Sequence, residues 1–548
     1  MVEKNKIYRA AITSYSTEGM GMARIQDMVV FVPGTAAGDQ CDIRITRVAS
    51  RMAYGRAERI VVPSKHRITP ACPLAGKCGG CCWQHITYEE ELRAKQQKVA
   101  DALRRIGGVA VEDLPITGAP EITHYRNKAQ YPVGLGADGT VVTGFYRIRS
   151  HDIIPAEQCL IQSETADLLA GVVRGWMADC GVAPYEETSK KGVVRHIYVR
   201  TGAASGEAHL CIVAARSRLP AQEELLRRVR EACPSLTGVV LNVNKHTDNV
   251  ILGEKTLTLW GEPELEDRLC GNVFRLSPHA FYQVNHAQAE QLYACVLDFA
   301  GLTGAESVLD LCCGAGTITL ALARKASRAV GVEIVPEAVT NARENAARNG
   351  VENVDFYCAD AAQAAMRFAR MGKHPDVIVA DPPRKGLDEE TIEAAAQMAP
   401  DKIIYVSCDP ATLARDVKHF AGLGYQIERA RVFDLFPRTR HVETVVLLSK
   451  LRAEHHIEVD LDLGEMDLTS AESKATYEEI KAYVLEKFGL KVSHLYISQV
   501  KRKCGLEVGP NYNLPKSEGQ RVPQCPPEKE KAIMAALEHF QMIEGSDS

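Results

Sequence analysis

Three stretches of this 548-residue sequence carry side chains whose type and spacing can do chemistry. The first is an apolar run that ends in a glycine turn, Val308-Leu-Asp310-Leu-Cys312-Cys313-Gly314-Ala-Gly316-Thr317. Gly314 and Gly316 let the backbone approach a ligand closely. A second run, VGVE, ends at Glu333 about 20 residues on, where a carboxylate can accept both hydroxyls of a ribose. The turn lacks the third glycine of GxGxxG, and no GxxxxGK[ST] occurs, which argues against pyrophosphate and triphosphate ligands. Asp310 before the turn and Glu333 after it suit S-adenosylmethionine, an adenosine and an amino acid without phosphate. Asp360, at a third strand end, stands where it can reach the adenine.

The second stretch is DVIVADPPRKGL followed by KIIYVSCDPATLARD. It puts Asp381 and Cys408 at two strand ends, where open α/β sheets bind ligands. Cys408 also precedes a helix, whose N-terminal partial charge lowers a thiol pKa. Amine-methylating enzymes often carry an aromatic residue where Arg384 stands, so an exocyclic amine target is disfavoured. Farther on, FPRTRHVETVVLL presents Arg438, Arg440, His441 and Glu443 as a strand begins.

The third stretch is Cys72-x5-Cys78-x2-Cys81 in ACPLAGKCGGCCWQH. Thiolates separated by glycines can wrap a small inorganic core, and both structural zinc and iron-sulfur clusters take about four ligands. Spacing alone leaves zinc and a cluster open. The long gap from Cys72 to Cys78 argues against the CxxxCxxC-like loop of radical chemistry.

These residues need positioning. Residues 1–62 read as a small OB-like β-barrel with Arg44, Arg47, Arg51, Arg56 and Arg59 set against only Asp42 and Glu58, a surface suited to RNA. Residues 63–106 are the Cys loop and an amphipathic helix over 86–106. Residues 107–270 read as a central α+β domain with one helix near 220–233. From 271 to 450, strands alternate with helices, which argues a mostly parallel, Rossmann-like sheet. Residues 452–548 are a separate α+β extension.

Composition bounds the rest. Hydrophobic residues make up 46% and charged residues 25%, which excludes disorder over most of the length. No run of about 18 apolar residues occurs, so no membrane span is expected. The N-terminus lacks a signal-peptide core, and the 17 Cys are odd in number and scattered, so a cytoplasmic, reducing setting is expected. The net charge of −5 is uneven. Residues 453–548 carry 17 acidic and 11 basic side chains, leaving 54 basic and 53 acidic in the first 452.

FYQVN, DLCCGAGT, VGVE, DPPRKGL, SCDPATLARD and FPRTRHVETVVLL, in order, resemble the RNA (uracil-5-)-methyltransferase family. The barrel, similar to a TRAM domain, and the Cys loop resemble its 23S rRNA branch. The resemblance covers residues 1–450. It implies a class I methyltransferase fold, an RNA substrate (23S rRNA, not DNA) and S-adenosylmethionine contacts at Gln283, Glu333 and Asp381. It further implies a nucleophile at Cys408, a base at Glu443, and a [4Fe–4S] cluster on Cys72, Cys78, Cys81 and Cys159, with Cys82 spare. One departure stands out: the family usually has an aromatic residue where this chain has Cys312, so contact there is expected through the backbone. Chemistry agrees. Uracil C5 is a poor nucleophile until a thiolate adds at C6, and a base must then remove the C5 proton.

The extension lies outside that resemblance. Its apolar stripes, Ile480, Tyr483, Val484 and Phe488 in one segment and Ile533, Leu537 and Phe540 in another, need a surface to cover. That surface is the extension itself, the methyltransferase domain, or a protein partner. The basic run Lys501-Arg502-Lys503 offers RNA instead.

Overall fold

A computed structural model describes residues 2–148, 150–247, 249–450, 477–504, 506, 524–540 and 542–543. The chain divides into two compact units, Met1–Arg452 and Ala453–Ser548. Among the described residues no helix is long and apolar enough to cross a membrane.

In the first unit, strands β1 (Ile7–Tyr15), β2 (Gly21–Ile25), β3 (Met28–Val32), β4 (Gln40–Val48) and β5 (Met52–Val62) close into a barrel in the order β1-β2-β3-β5-β4. Alternation sends Ile12, Val30, Val32, Ile43 and Ile45 inward, where they are buried together. Outside, Arg9 and Arg59 share Asp42, and Arg44 and Arg56 share Glu58. Two guanidinium groups per carboxylate leave this face positive, and Arg47 stands over the Tyr54 ring.

Helix α1 (Tyr88–Ala102) starts at Thr87, whose hydroxyl accepts the Glu90 N–H. Val99 and the following Leu103 pack in one core with Ile378, Leu413 and Phe420 of the C-terminal sheet region, and β6 (Ile116–Thr117) joins the edge of that sheet. The chain then builds a seven-stranded mixed sheet from β7 (Lys128–Leu135), β8 (Val141–Tyr146), β9 (Ile153–Pro155), β10 (Val194–Thr201), β11 (Ala208–Ala214), β12 (Leu236–Val243) and β13 (Lys255–Gly261). Two helices cover it, not one. Besides α2 (Gln222–Ala232), the segment Glu164–Asp179 is helical, capped by Ser163 and burying Leu169, Val173, Trp176 and Met177. A capping serine contributes about 1 kcal/mol.

A hairpin, β14 (Leu265–Leu269) with β15 (Asn272–Leu276), leads through α3 (His286–Ala300) into the C-terminal sheet. There β16 (Ser307–Asp310), β17 (Arg328–Glu333), β18 (Val354–Cys358), β19 (Val377–Ala380) and β20 (Lys402–Ser407) run parallel in the order β18-β17-β16-β19-β20. Next come β22 (Glu443–Lys450), antiparallel to β20, then β21 (Tyr425–Phe433), then β6. Strand order reverses between β16 and β19. Every residue of β19 is buried, as expected for a strand covered on both faces. This is the doubly wound class I methyltransferase fold.

The second unit contains three described helices, α4 (Tyr477–Phe488), α5 (His494–Lys503) and α6 (Pro527–His539), around a core of Ile480, Val484, Ile497, Val500, Ile533 and Leu537. The strand-like start read at 457–468 lies outside the described residues.

Candidate active site

A cavity of about 1080 Å³ opens where the carboxyl ends of the parallel strands face the central sheet. Its floor is the turn after β16. Gly314 has φ +54° and no atom within 4 Å of where a β-carbon would stand, so its open side admits a ligand. Glu333, at the end of β17, accepts the Gly314 N–H at 3.1 Å and the Val335 N–H at 2.9 Å while lining the cavity. Asp360 lines it too, with one carboxylate oxygen capping the following helix through the Ala362 and Gln363 N–H groups. Cys312 lines the cavity as well. Burial, and then the charges of Asp310, Asp381, Glu333 and Asp360, hold its thiol well above the usual range. Three carboxylates, Glu333, Asp360 and Asp381, therefore line the cavity around this turn, which suits a cationic ligand.

Asp310 does not line the cavity. It is 1% exposed, accepting the Thr319 hydroxyl at 2.6 Å and the Cys312 N–H at 3.3 Å. It shapes the turn from behind. Burial first, opposed by these two bonds, raises its pKa to about 6.

Asp381, Cys408 and Glu443 line the same cavity. Burial, then Asp310, pushes Asp381 up to about 7. Burial, then Glu443 and Asp381, pushes the Cys408 thiol up to about 11, with Arg384 opposing. The helix N-terminus beside Cys408 led to the opposite direction from sequence; desolvation and two carboxylates outweigh it. Burial, then Asp381, raises Glu443 well above the usual carboxylate range, and Arg384 again opposes. Arg384 is itself 3.4 Å from His441 Nδ1.

The loop that leads to Glu443 is bolted from outside. Buried Lys95 donates to Glu91 at 2.8 Å, Asp434 at 2.5 Å and the Phe436 carbonyl at 3.1 Å. The Arg438 N–H donates to Glu91, and the Arg438 carbonyl accepts from the N–H groups of Cys82 and Trp83. Arg438 is thus a joint rather than an exposed cation, and Arg440 pairs with Glu18 of the barrel.

Gln283 lines the cavity on a segment held by the central sheet. Asn127 donates to the Gln283 carbonyl at 3.0 Å, Arg200 to that of Ala280 at 2.8 Å and Tyr198 to that of Pro278 at 3.0 Å. Sequence reasoning missed other lining groups. Phe281 is 63% exposed at the cavity. Arg126 and Lys128 line it at the start of β7, with Arg126 Nε buried and lacking a hydrogen-bond partner. Burial, then Arg200 and Arg126, lowers Lys128 to about 8. The alternating YRNKAQ run entering a strand was the available signal.

Cys72, Cys78, Cys81 and Cys159 line the opposite wall. Burial pushes Cys81 up to about 12, with the other three thiols adding to it, and Cys159 up to about 11, with Cys78 adding. Cys82 is absent from this wall and packs against Trp83 and Ala36. Among the described residues no group of three or more His, Cys, Asp or Glu side chains is arranged to hold a metal ion.

The tRNA (Uracil-5-)-methyltransferase family model matches residues 264–451, and the TRAM domain model matches residues 2–57. An uncharacterized RNA methyltransferase of Clostridium tetani is 41% identical over 448 residues, 82% of this chain and 97% of its own. One of Halalkalibacterium halodurans is 40% identical over 448 residues, 82% of this chain and 98% of its own. Among solved structures, the Pyrococcus abyssi tRNA (uracil-54, C5)-methyltransferase in complex with S-adenosyl-L-homocysteine gives a TM-score of 0.66 at 25% identity, over 80% of this chain and all of the other. With the barrel, the doubly wound sheet and this cavity in one unit, the chain belongs to the uracil-5-methyltransferase family of RNA methyltransferases and carries a TRAM domain.

Proposed function

We propose that the protein methylates C5 of a uridine in 23S rRNA through a covalent bond between Cys408 and C6 of the base. The observation that carries this is that Cys408 and Glu443, set side by side by the Ser407–Thr444 pairing, line one cavity with Asp381, Glu333 and Asp360. These carboxylates suit S-adenosylmethionine, with Glu333 for the ribose, Asp360 for the adenine, and Gln283 and Asp381 beside the reacting centre. When bound, S-adenosylmethionine supplies an electrophilic methyl on a sulfonium.

Cys408 loses its proton to solvent and its sulfur bonds to C6. The C5–C6 π pair shifts toward O4 as an enolate, whose C5 would take the methyl group as the methyl–sulfonium bond breaks with its electron pair left on sulfur, releasing S-adenosylhomocysteine. Glu443 takes the C5 proton, the freed pair restores C5=C6, and the Cys408 thiolate departs. The target must leave its stack to reach this depth. Arg126 and Lys128 bring basic groups to the cavity lining, and the arginines of the barrel offer the RNA a separate positive face.

Cys72, Cys78, Cys81 and Cys159 would hold a [4Fe–4S] cluster. Four half-buried thiols lining one cavity favour a metal core that stabilises thiolates. Bound there, it would fix a loop already tied to Arg438 and would take no part in the methyl transfer. A cytoplasmic setting follows from rRNA as substrate.

The Pyrococcus structure favours a second substrate, tRNA, because the resemblance spans that enzyme's full length. Mapping 5-methyluridine in rRNA and tRNA from cells with and without the gene decides. Loss from 23S rRNA alone is expected, and loss from tRNA alone overturns the rRNA assignment.

A further inference from the structure

Most of the apolar stripe residues of the C-terminal unit are buried inside it, while Phe488 stays exposed. Ile480, Val484, Ile497, Val500, Ile533 and Leu537 are each at most 1% exposed, and Tyr483 stacks on His539 at 4.3 Å. Charge is segregated along the sequence of this unit. Residues 453–476 carry seven acidic side chains and one basic, whereas residues 487–504 carry five basic and none acidic.

The basic stretch is the second half of a helix–turn–helix. Helix α4 ends at Phe488, Gly489 turns with φ +67°, Ser493 caps α5 by accepting the Tyr496 N–H at 3.4 Å, and α6 packs on both. Lys501 is buried over the Tyr477 ring, and Lys503 pairs with Glu530 at 2.7 Å. Lys487, Lys491 and Arg502 are exposed, and Lys529 joins them at the turn by donating to the Lys491 carbonyl at 2.8 Å.

We infer that this edge grips the phosphate backbone of duplex RNA away from the target nucleotide, without regard to sequence. The major groove of A-form RNA is too deep and narrow for side chains to read, so basic groups spread over a turn and a helix act on phosphates. RNA is the partner because the other unit belongs to an RNA-methylating family, and a tethered module meets that substrate at high effective concentration. The inference needs that family membership and not the covalent mechanism.

The test uses the full chain carrying Lys487→Glu, Lys491→Glu and Arg502→Glu. Binding to a blunt RNA duplex of about 20 base pairs without unpaired uridines is followed by fluorescence anisotropy across salt. Affinity should fall roughly tenfold, and the slope of log affinity against log salt should drop by about 2 to 3. Methylation of a short stem-loop carrying the target should stay unchanged. The neutral set Lys487→Gln, Lys491→Gln and Arg502→Gln should lose part of the same affinity, and it decides if the reversed set misfolds by circular dichroism. Unchanged affinity and slope would overturn the inference, and so would tighter binding to the DNA duplex of the same sequence.

Discussion

Ser407 and Thr444 are register partners across the antiparallel pair β20 and β22, so Cys408 leaves one strand beside the residue at which the other begins, Glu443. A parallel β22 would have put its first residue at the opposite edge of the sheet. The single antiparallel insertion therefore delivers the acid to the thiol, and Glu443 adds to the burial that raises the Cys408 pKa.

That adjacency assigns the nucleophile. Cys408→Ala should abolish the denaturation-resistant adduct with 5-fluorouracil-substituted RNA, because Cys408 is the thiol that the β20–β22 register sets beside Glu443. Binding of S-adenosylhomocysteine, measured by calorimetry, should persist. Continued trapping would move the nucleophile to another cysteine, with Cys312 first in line.

Removing the base separates the two halves of the reaction. Glu443→Gln keeps the shape of the side chain but cannot take the C5 proton. One methyl group should transfer per enzyme, followed by a stalled protein–RNA adduct on denaturing gels. Normal turnover without adduct would place the base elsewhere.

Arg384 should set the pH profile. Burial and carboxylate neighbours hold the Cys408 thiol at about 11 and raise Glu443, and Arg384 opposes both. Cys408 attacks as the thiolate, so the trapping rate should climb with pH across about 6 to 9. Arg384→Met raises both groups further and should displace the curve to higher pH, costing about tenfold in rate per unit at fixed pH. A curve that does not move would show that the guanidinium does not govern these groups.

Much of this was legible before folding. The strands SVLDL, RAVGVE, DVIVA and KIIYVS announced themselves as short apolar runs, and their carboxyl ends carry Glu333, Asp381 and Cys408. The helix Glu164–Asp179 was missed although Ser163 caps it and Gly181 follows it, because its apolar residues run nearly without interruption and give little helical period. Helix α5 was missed because LYISQV reads as a strand. Arg126 and Lys128 could not be placed, since strand alternation says which residues share a face but not which face meets a cavity. Net direction at Cys408 was illegible for the same reason. A helix terminus is visible in sequence, whereas burial beside two carboxylates from other strands is a property of the assembled sheet.

The Cys wall yields a paired prediction. Cys78→Ser should lose iron and the brown colour of protein purified without oxygen, and Cys82→Ser should keep both, because Cys82 packs against Trp83 and Ala36. About four irons per chain are expected by metal analysis of the parent protein. One zinc and no colour would defeat the cluster and leave the methyltransferase assignment standing.

Asp310 and Glu333 flank the same turn and should fail in different ways. Asp310 is sealed behind it, and its carboxylate holds the Thr319 hydroxyl and the Cys312 N–H. Asp310→Ala strands two buried donors, which costs about 2 kcal/mol, and the slackened turn should weaken S-adenosylhomocysteine binding as a secondary effect. Asp310→Asn restores an acceptor for the Cys312 N–H and should recover most of both losses. Glu333 instead lines the cavity at a strand end. Glu333→Ala should weaken the ligand more than Asp310→Ala while moving the melting temperature less. Thermal melts with and without S-adenosylhomocysteine measure both quantities on each variant. If Asp310→Asn lost the ligand as completely as Glu333→Ala with its melting temperature intact, Asp310 would be touching the ligand, and its placement behind the turn would be wrong.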